Sequence, residues 1–523
     1  MGSLETQVLI IGGGATGTAI ARDLALRGVA CVLVEREDLN AGASGRNHGL
    51  LHSGARYVAH DPAAATECRE EGAILKRLAP QCIQDTGGFF VAVEGDDEHY
   101  VAAFPELCGR CGISVRAVPV AEARAREPAL SERTIAVYEV PDASIDPFKL
   151  SLEHMAEAQR LGARLLRRTA VVGLERDGGR VVAARLRHGP TGAESRIAAG
   201  VVVNAAGAWA RDVAALAGAD VPMLYSKGTL LVTHARLAHR VINRLRKPGN
   251  ADIVMPGGTV SIVGTTSITV PDLTDIRPTV PEVDLIVEES AAMLPALGET
   301  RYIRAYAGVR PLVSAAGAPG DGRAVSRGFA LVDHARDGAA GLVTITGGKL
   351  TTSRLMAERT SDLVCERLGV TAPCRTRAAP LAAAPECEWT EPGLAPRAWM
   401  REQAPDDALL CECEMVSRAT LDAIARDLRT TPGTLLADLA LRSRMGKGAC
   451  QGTFCAVRAV AHLYDRGVLT GDRGLAESID FFRERWRGQH PVLWGEQLAQ
   501  AELAEAIHCG LHGDELCGRG GRP

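Results

Sequence analysis

Aromatic residues are scarce, 4% of a 523-residue chain, and neither charge sign is in excess: 59 basic against 63 acidic residues leave a net charge of −4. With charged residues at 23% and apolar residues at 46%, the composition excludes disorder throughout. It also carries no global electrostatic footprint for nucleic acid. No basic segment leads into a short apolar stretch after Met1, so no secretory signal is expected, and a cytoplasmic chain is. Internal repeats and low-complexity tracts are absent too. The uncharged run from Ile253 to Pro271 is long enough on paper to cross a bilayer, but its prolines, glycines and Ser/Thr residues read as strands and turns. Met1-Gly2-Ser3-Leu4-Glu5-Thr6 fits the loose myristoylation pattern; the residues that follow read as a buried strand, so the match is taken as coincidence.

Glycine is plentiful, 56 residues against a usual share of about 7%, which suggests many tight turns of the kind needed around a large cofactor. At roughly 150 residues per domain, the length suggests about three units. From Gln7 to about Leu368, short apolar runs alternate with helical periods, the α/β signature. Gln7–Ile11, Cys31–Val34, Val201–Val203 and Leu342–Ile345 read as buried strands. The expected organisation is an oxidoreductase unit over 1–370, a Pro/Ala-rich linker over 371–405, a small helical domain over 406–470 and a helical tail over 471–523.

Val8-Leu9-Ile10-Ile11 runs straight into Gly12-Gly13-Gly14-Ala15-Thr16-Gly17, followed by a helical segment. This is the strand, glycine turn and helix of a dinucleotide site. Gly12 permits the turn, Gly14 admits a pyrophosphate, and Gly17 allows helix and strand to meet, with the helix N-terminus (Ala15, Thr16) facing the phosphates. Glu35, at the end of the second strand and followed by Arg36, is placed to bind a ribose hydroxyl. The motif alone does not separate NAD from FAD. Gly207, in Val203-Asn204-Ala205-Ala206-Gly207, allows a second close backbone approach. Gly347-Gly348-Lys349-Leu350 opens a helix whose N-terminus can stabilise negative charge on a reduced flavin.

Gly12 to Gly17, Gly42 to Tyr57, Lys227-Gly228, Ala307 to Leu312 and Gly347 to Arg354 together resemble the FAD-dependent glycerol-3-phosphate dehydrogenases. With Cys411, Cys413, Cys450 and Cys455 added, the resemblance is to the large subunits of the anaerobic form and covers nearly the whole chain. Its most specific strings are Gly45 to Tyr57 and Gly446 to Gly452. It implies a fold of the α/β class: an FAD-binding Rossmann-like domain built from discontinuous segments, an antiparallel-sheet substrate domain that takes in Ile253 to Pro271, and a small helical C-terminal iron-sulfur domain. The implied reaction is oxidation of glycerol 3-phosphate to dihydroxyacetone phosphate, with electrons passed to partner subunits and quinone. Two partners are implied, a smaller flavoprotein and a membrane-anchoring iron-sulfur protein, which would hold this chain peripherally on the membrane. Ser44, Gly45, Asn47 and His48 match positions that contact the flavin. Arg56, Arg310 and Lys349 match phosphate-contacting and flavin-adjacent positions, with Arg327 a further cation.

His48 and His52 are both candidate bases, because imidazole titrates near neutrality. Aerobic relatives look to have a histidine soon after the pair equivalent to Lys227-Gly228, where this chain has Thr229-Leu230. A base carried over from that position is unsupported, and Lys349 or a hydroxide relayed through water stays open. Four thiols in two tight pairs suit a [2Fe-2S] cluster or tetrahedral zinc; a cluster would let the two electrons of a reduced flavin leave singly, which zinc would not. Cys108 and Cys111 spell CxxC but read as unrelated thiols. The alternatives are a flavin dehydrogenase of another small amine or hydroxy acid, and a non-catalytic electron carrier.

Overall fold

The strand Leu4–Ile11 is fully apolar in its second half, and both its neighbours run parallel to it: Cys31–Val34 on one side and Glu194–Asn204 on the other. In the computed structural model, which describes residues 4–313, 328–383, 404, 406–428, 435–511 and 513, these strands form the centre of an eight-stranded sheet. Arg164–Leu166 extends it beyond Cys31–Val34, and Leu342–Gly347 pairs with the end of Glu194–Asn204, both again parallel. Strands so deeply placed need apolar cover on both faces. One face is covered by the helices Ala15–Leu26, Pro147–Arg160 and Ser353–Leu368, packed over Val8, Ile10, Leu33 and Val203. The other is covered by the hairpin Thr169–Asp177 and Arg180–His188, packed over Leu9, Ile11, Val32 and Val202. All four apolar runs singled out in the sequence lie within these strands.

The second, nine-stranded sheet is mainly antiparallel. Its longest partners, Met223–Thr233 and Tyr302–Val313, run side by side with Ser226 opposite Arg310 and Gly228 opposite Gly308. The uncharged run from Ile253 supplies three strands of this sheet, Ile253–Gly257, Val260–Gly264 and Ile268–Val270. Cys108 and Cys111 lie in an apolar core with Phe90 and Phe104.

The start of the expected linker is packed chain. Buried Arg22 donates to the carbonyls of Ala379 and Pro380, and Leu381 joins the core beside Leu75 and Leu150. Residues 384–403 lie outside the described residues. The C-terminal domain has its own core, with Leu421, Leu436, Leu439 and Leu463 around Cys411 and Cys455. The helix Arg473–Gln489, beyond the expected boundary at 470, adds Phe481 to that core and packs along Tyr302–Val313, where Gly488 lies against Arg304.

Charge fixes this domain on the first. Asp38, in the turn just after Glu35, accepts from Arg442 at 2.8 and 3.2 Å and from Arg167 at 3.2 Å. Asp438, on the helix Leu435–Ser443, takes Arg167 at 3.0 Å and Arg168 at 2.6 Å. Arg444 bridges Asp146 and Glu414. Burial alone would raise the Asp38 carboxyl, but the Arg442 and Arg167 guanidinium groups outweigh it and hold the group well below the carboxylate range.

Asp38→Asn should therefore destabilise the docked state by about 3–5 kcal/mol, the cost of leaving buried arginines without their partner, as measured by chemical denaturation. Because the folded-state pKa is depressed, the contribution is present above the unfolded value of about 3.9 and is lost as pH falls below it. The wild type should show that acid-side loss, and the Asn variant should lack it.

Candidate active site

The glycine turn closes without room for side chains. A Cβ on Gly17 would stand 1.9 Å from the Gly12 carbonyl oxygen, and one on Gly12, whose φ is +111°, would stand 2.6 Å from the Ala205 oxygen. The helix Ala15–Leu26 can therefore begin directly beneath the end of Leu4–Ile11. Its N-terminus has no side-chain cap on Gly14; the Ala15 amide instead donates to Ser44 Oγ at 2.9 Å. A Cβ on Gly14 would lie 2.9 Å from that same hydroxyl. Uncapped amides, a serine hydroxyl and bare glycine backbone form a cradle of the kind a pyrophosphate fills. Glu35 Oε2 accepts from the Gly13 amide at 2.7 Å and Oε1 from the Glu37 amide at 2.8 Å. Those bonds fix the carboxylate plane at the strand end, while burial raises its pKa.

A cavity of about 2520 Å³ runs from this turn to the second sheet and on to the C-terminal domain. Gly12, Gly14, Ala15, Thr16, Glu35, Arg36, Ser44, Gly45, Asn47, His48, Gly207, Gly347, Gly348, Lys349 and Leu350 all line it, as do His52, Arg56 and Arg310. Gly17 does not; its part is packing. Asn47 spends its side chain on the loop itself, donating to the Ser44 carbonyl at 2.7 Å and accepting from the Gly49 amide at 2.7 Å. Arg36 lies 5.0 Å over the Trp209 ring. Gly347 and Gly348 both have positive φ, and a Cβ on Gly348 would meet Met356 Sδ at 2.4 Å. The chain therefore enters the helix Ser353–Leu368 by a turn that only glycine fits.

Arg310 lies flat over the neighbouring strand because Gly228 has no side chain: a Cβ there would stand 2.6–2.9 Å from the guanidinium. Its Nη1 donates to the Thr266 carbonyl at 3.2 Å, and Nη2 to Thr265 Oγ1. Arg56 Nη2 pairs with buried Asp252 at 2.8 Å, and Asp252 also holds Arg246. Arg246 is held in turn by Glu289 at 2.8 Å, so two arginines alternate with two carboxylates along this wall. Lys227 is not at the cavity but in a buried ion pair with Glu282 at 2.8 Å, and Thr229 donates to the other oxygen of Glu282. Arg327 lies outside the described residues.

The two histidines differ. His48 Nδ1 accepts from the Leu50 amide at 3.1 Å, so the neutral ring carries its proton on Nε2. Burial, together with Arg310 and Arg56, pulls its pKa down to about 3. The Nε2–H of His48 is thus set as a hydrogen-bond donor. His52 Nε2 faces Tyr57 Oη at 3.4 Å, and the Tyr57 ring lies 5.1 Å beneath Lys349 Nζ. In the sequence Tyr57 is no more than the end of a string; an aromatic five residues past a histidine gives no signal until the short helical turn Ala55–Tyr57 brings the two together.

In the C-terminal domain, Cys411 and Cys413 flank one turn, and Cys450 and Cys455 another. Cys413 and Cys450 Sγ are 3.9 Å apart. Cys411 hydrogen-bonds with Cys413 and Cys455, and Cys450 with the same two, so the four sulfurs close a ring. These thiol contacts, followed by amides of Gly446 and Glu414 at Cys411 and of Gly452 and Phe454 at Cys450, pull both those thiols down. Amides aimed at sulfur are what a thiolate-bound cluster uses. The turn is tight: a Cβ on Gly448 would lie 2.2 Å from Cys413 Cβ, and Gly446 and Gly452 have positive φ against the Phe481 ring. Among the described residues, no group of three or more His, Cys, Asp or Glu side chains is arranged about a single metal ion. Lys447, in the same turn, stands 3.9 Å over the Phe148 ring, and Phe148 packs against Gly45. This links the four-thiol turn to the loop beside the nucleotide cradle.

The FAD dependent oxidoreductase family pattern matches residues 7–354. The chain is similar, at 42% identity over 98% of both sequences, to the A-subunit of the anaerobic glycerol-3-phosphate dehydrogenase of Escherichia coli K12. It is 38% identical to the A1-subunit of the Haloferax volcanii enzyme, over 96% of this chain and 89% of that one. Among solved structures, the glycerol-3-phosphate dehydrogenase of Bacillus halodurans complexed with FAD superposes with a TM-score of 0.65 at 22% identity, over 94% of this chain and 96% of that one.

Gly17→Val should weaken flavin retention by roughly tenfold or more, about 1.4 kcal/mol, because the new side chain would force the helix away from Gly12. Visible flavin absorbance of the purified variant against wild type measures the loss.

Proposed function

The chain belongs to the FAD dependent oxidoreductase family and, within it, to the anaerobic glycerol-3-phosphate dehydrogenases, and from that premise we propose that it oxidises sn-glycerol 3-phosphate to dihydroxyacetone phosphate. The observation that carries this reading is Arg310, a guanidinium laid on Gly228 in the same cavity as the nucleotide cradle. A phosphorylated three-carbon substrate needs such a cation near the redox centre, and arginine offers a fork matched to phosphate oxygens. Arg56, paired with Asp252, is a second guanidinium on the same cavity.

FAD, held by the glycine turn, Glu35, Ser44, Gly45 and the Gly347–Leu350 turn, supplies the acceptor for the hydride that leaves carbon 2. The residues of this chain position the substrate and manage the proton. Arg310 fixes the phosphate. His48 Nε2 is left as a donor toward the cavity, and the carbon-2 hydroxyl proton passes to Tyr57 Oη as Tyr57 gives its own proton to His52 Nε2, 3.4 Å away. A [2Fe-2S] cluster on Cys411, Cys413, Cys450 and Cys455 would supply a one-electron acceptor on the same chain, with quinone as the final acceptor through the flavoprotein and membrane-anchoring partner subunits. No helix among the described residues is long and apolar enough to cross a membrane, in keeping with attachment through those partners.

Stoichiometric glycerol 3-phosphate added anaerobically to the flavin-loaded protein should bleach the flavin bands; unchanged bands would sink the reading. Arg310→Ala should keep its flavin but lose about 2–5 kcal/mol of transition-state binding, seen in kcat/KM. His52→Gln should lower kcat by roughly 10²–10⁴, whereas His48→Gln should lower it less, as measured by steady-state turnover of flavin-loaded protein.

A further inference from the structure

The helix Arg473–Gln489 carries a cation that neither the nucleotide site nor the substrate site uses. Arg485 is 8% exposed. Its Nε and Nη1 are buried and meet no hydrogen-bond acceptor among the described residues. The guanidinium lies 4.9 Å over the Phe481 ring, and the far edge of that ring is the surface on which Gly446 and Gly452 turn to present Cys450 and Cys455. On the other side of the same turn, Lys447 stands over Phe148. Burial, with Arg304 nearby, pulls Arg485 down to about 9; the opposing charges that face it are Glu484 and the sulfurs of Cys455 and Cys450. Glu484 is half exposed and turned to Arg304 and Arg487. The buried anions left for Arg485 are the cysteine sulfurs.

We propose that Arg485 is the buried counter-charge of the four-cysteine centre and favours the reduced state of a cluster held there. The inference rests on the iron-sulfur reading above. Four thiolates and two sulfides leave an oxidised [2Fe-2S] unit dianionic, and one electron makes it more negative still. Net charge and hydrogen bonds to sulfur are among the factors that set the potential of such a centre. A cation fixed in a low-dielectric wall acts on that added charge with little screening, whereas an exposed one does not. Arg458 supplies the comparison: it also faces Cys455 and Cys450, but it is 45% exposed and paired with Glu412.

The test is an anaerobic redox titration of the reconstituted full-length chain, followed by the electron paramagnetic resonance signal of the reduced cluster. Arg485→Gln should lower the reduced-to-oxidised ratio at a given potential at least tenfold, about 59 mV for one electron. Arg485→Lys should restore most of it, and Arg458→Gln should leave it nearly unchanged. A wild-type midpoint in Arg485→Gln, or a midpoint in Arg485→Lys as low as in the glutamine variant, would overturn the proposal. Should Arg485→Gln fail to fold, Arg485→Met, which keeps an apolar stem over the Phe481 ring and removes the charge, carries the test, since a wild-type midpoint there also rejects the counter-charge role. A wild-type protein that loads flavin but gives no cluster signal fails the iron-sulfur reading itself, a different outcome from a signal whose midpoint does not move.

Discussion

Gly17 has no side chain, and the carbonyl oxygen of Gly12 occupies the space where one would stand. The rest of the molecule is built outward from that contact. It sets how close the helix Ala15–Leu26 lies to Leu4–Ile11, which in turn places uncapped amides beside Ser44 and leaves Glu35 at the neighbouring strand end. The long excursions of the chain return to this centre. Glu194–Asn204 and Leu342–Gly347 come back to the same sheet, and the turn at Gly347 and Gly348 opens into the cavity from its other side.

Electrostatics divides the cavity by function. At the nucleotide end, the charged groups are held by backbone: Glu35 by two amides, and the phosphate cradle by a helix terminus. At the sheet end, cations are held by side chains, Arg56 and Arg246 by Asp252 and Glu289, and Arg310 by neutral oxygens of Thr265 and Thr266. Between them sit His48, His52 and the Tyr57 phenol, with Lys349 over the Tyr57 ring. The low pKa of His48 follows from this placement: burial comes first, and a third cation beside Arg310 and Arg56 would also be repelled.

The strand, glycine turn, helix and acid were legible because each is encoded within a few residues, and apolar period together with glycine placement allows one solution. The paired cysteines were legible for the same reason. The roles of His48 and His52 were not: both lie in one loop of one composition, and only the Leu50 amide on Nδ1 and the Tyr57 hydroxyl on Nε2 separate them. Lys227 read as part of a conspicuous Lys-Gly pair, yet Glu282, far along the chain, makes it a structural ion. Arg442 looked like one arginine among many on a helix; its partner Asp38 is 404 residues away. Pairings of that separation leave no periodicity to read.

Asp38 stands three residues after Glu35, so one short turn serves both the nucleotide and the docked four-cysteine domain. The C-terminal domain is therefore not a portable module. Transplanted to a flavoprotein of the same fold that lacks a carboxylate at the turn and arginines at the positions of Arg167 and Arg168, it would bring Arg442 and Asp438 without their partners. A working chimera has to carry that turn with it, and with the turn comes part of the host's ribose site. Exchange between such proteins is then expected to move the two halves together, as one inherited block.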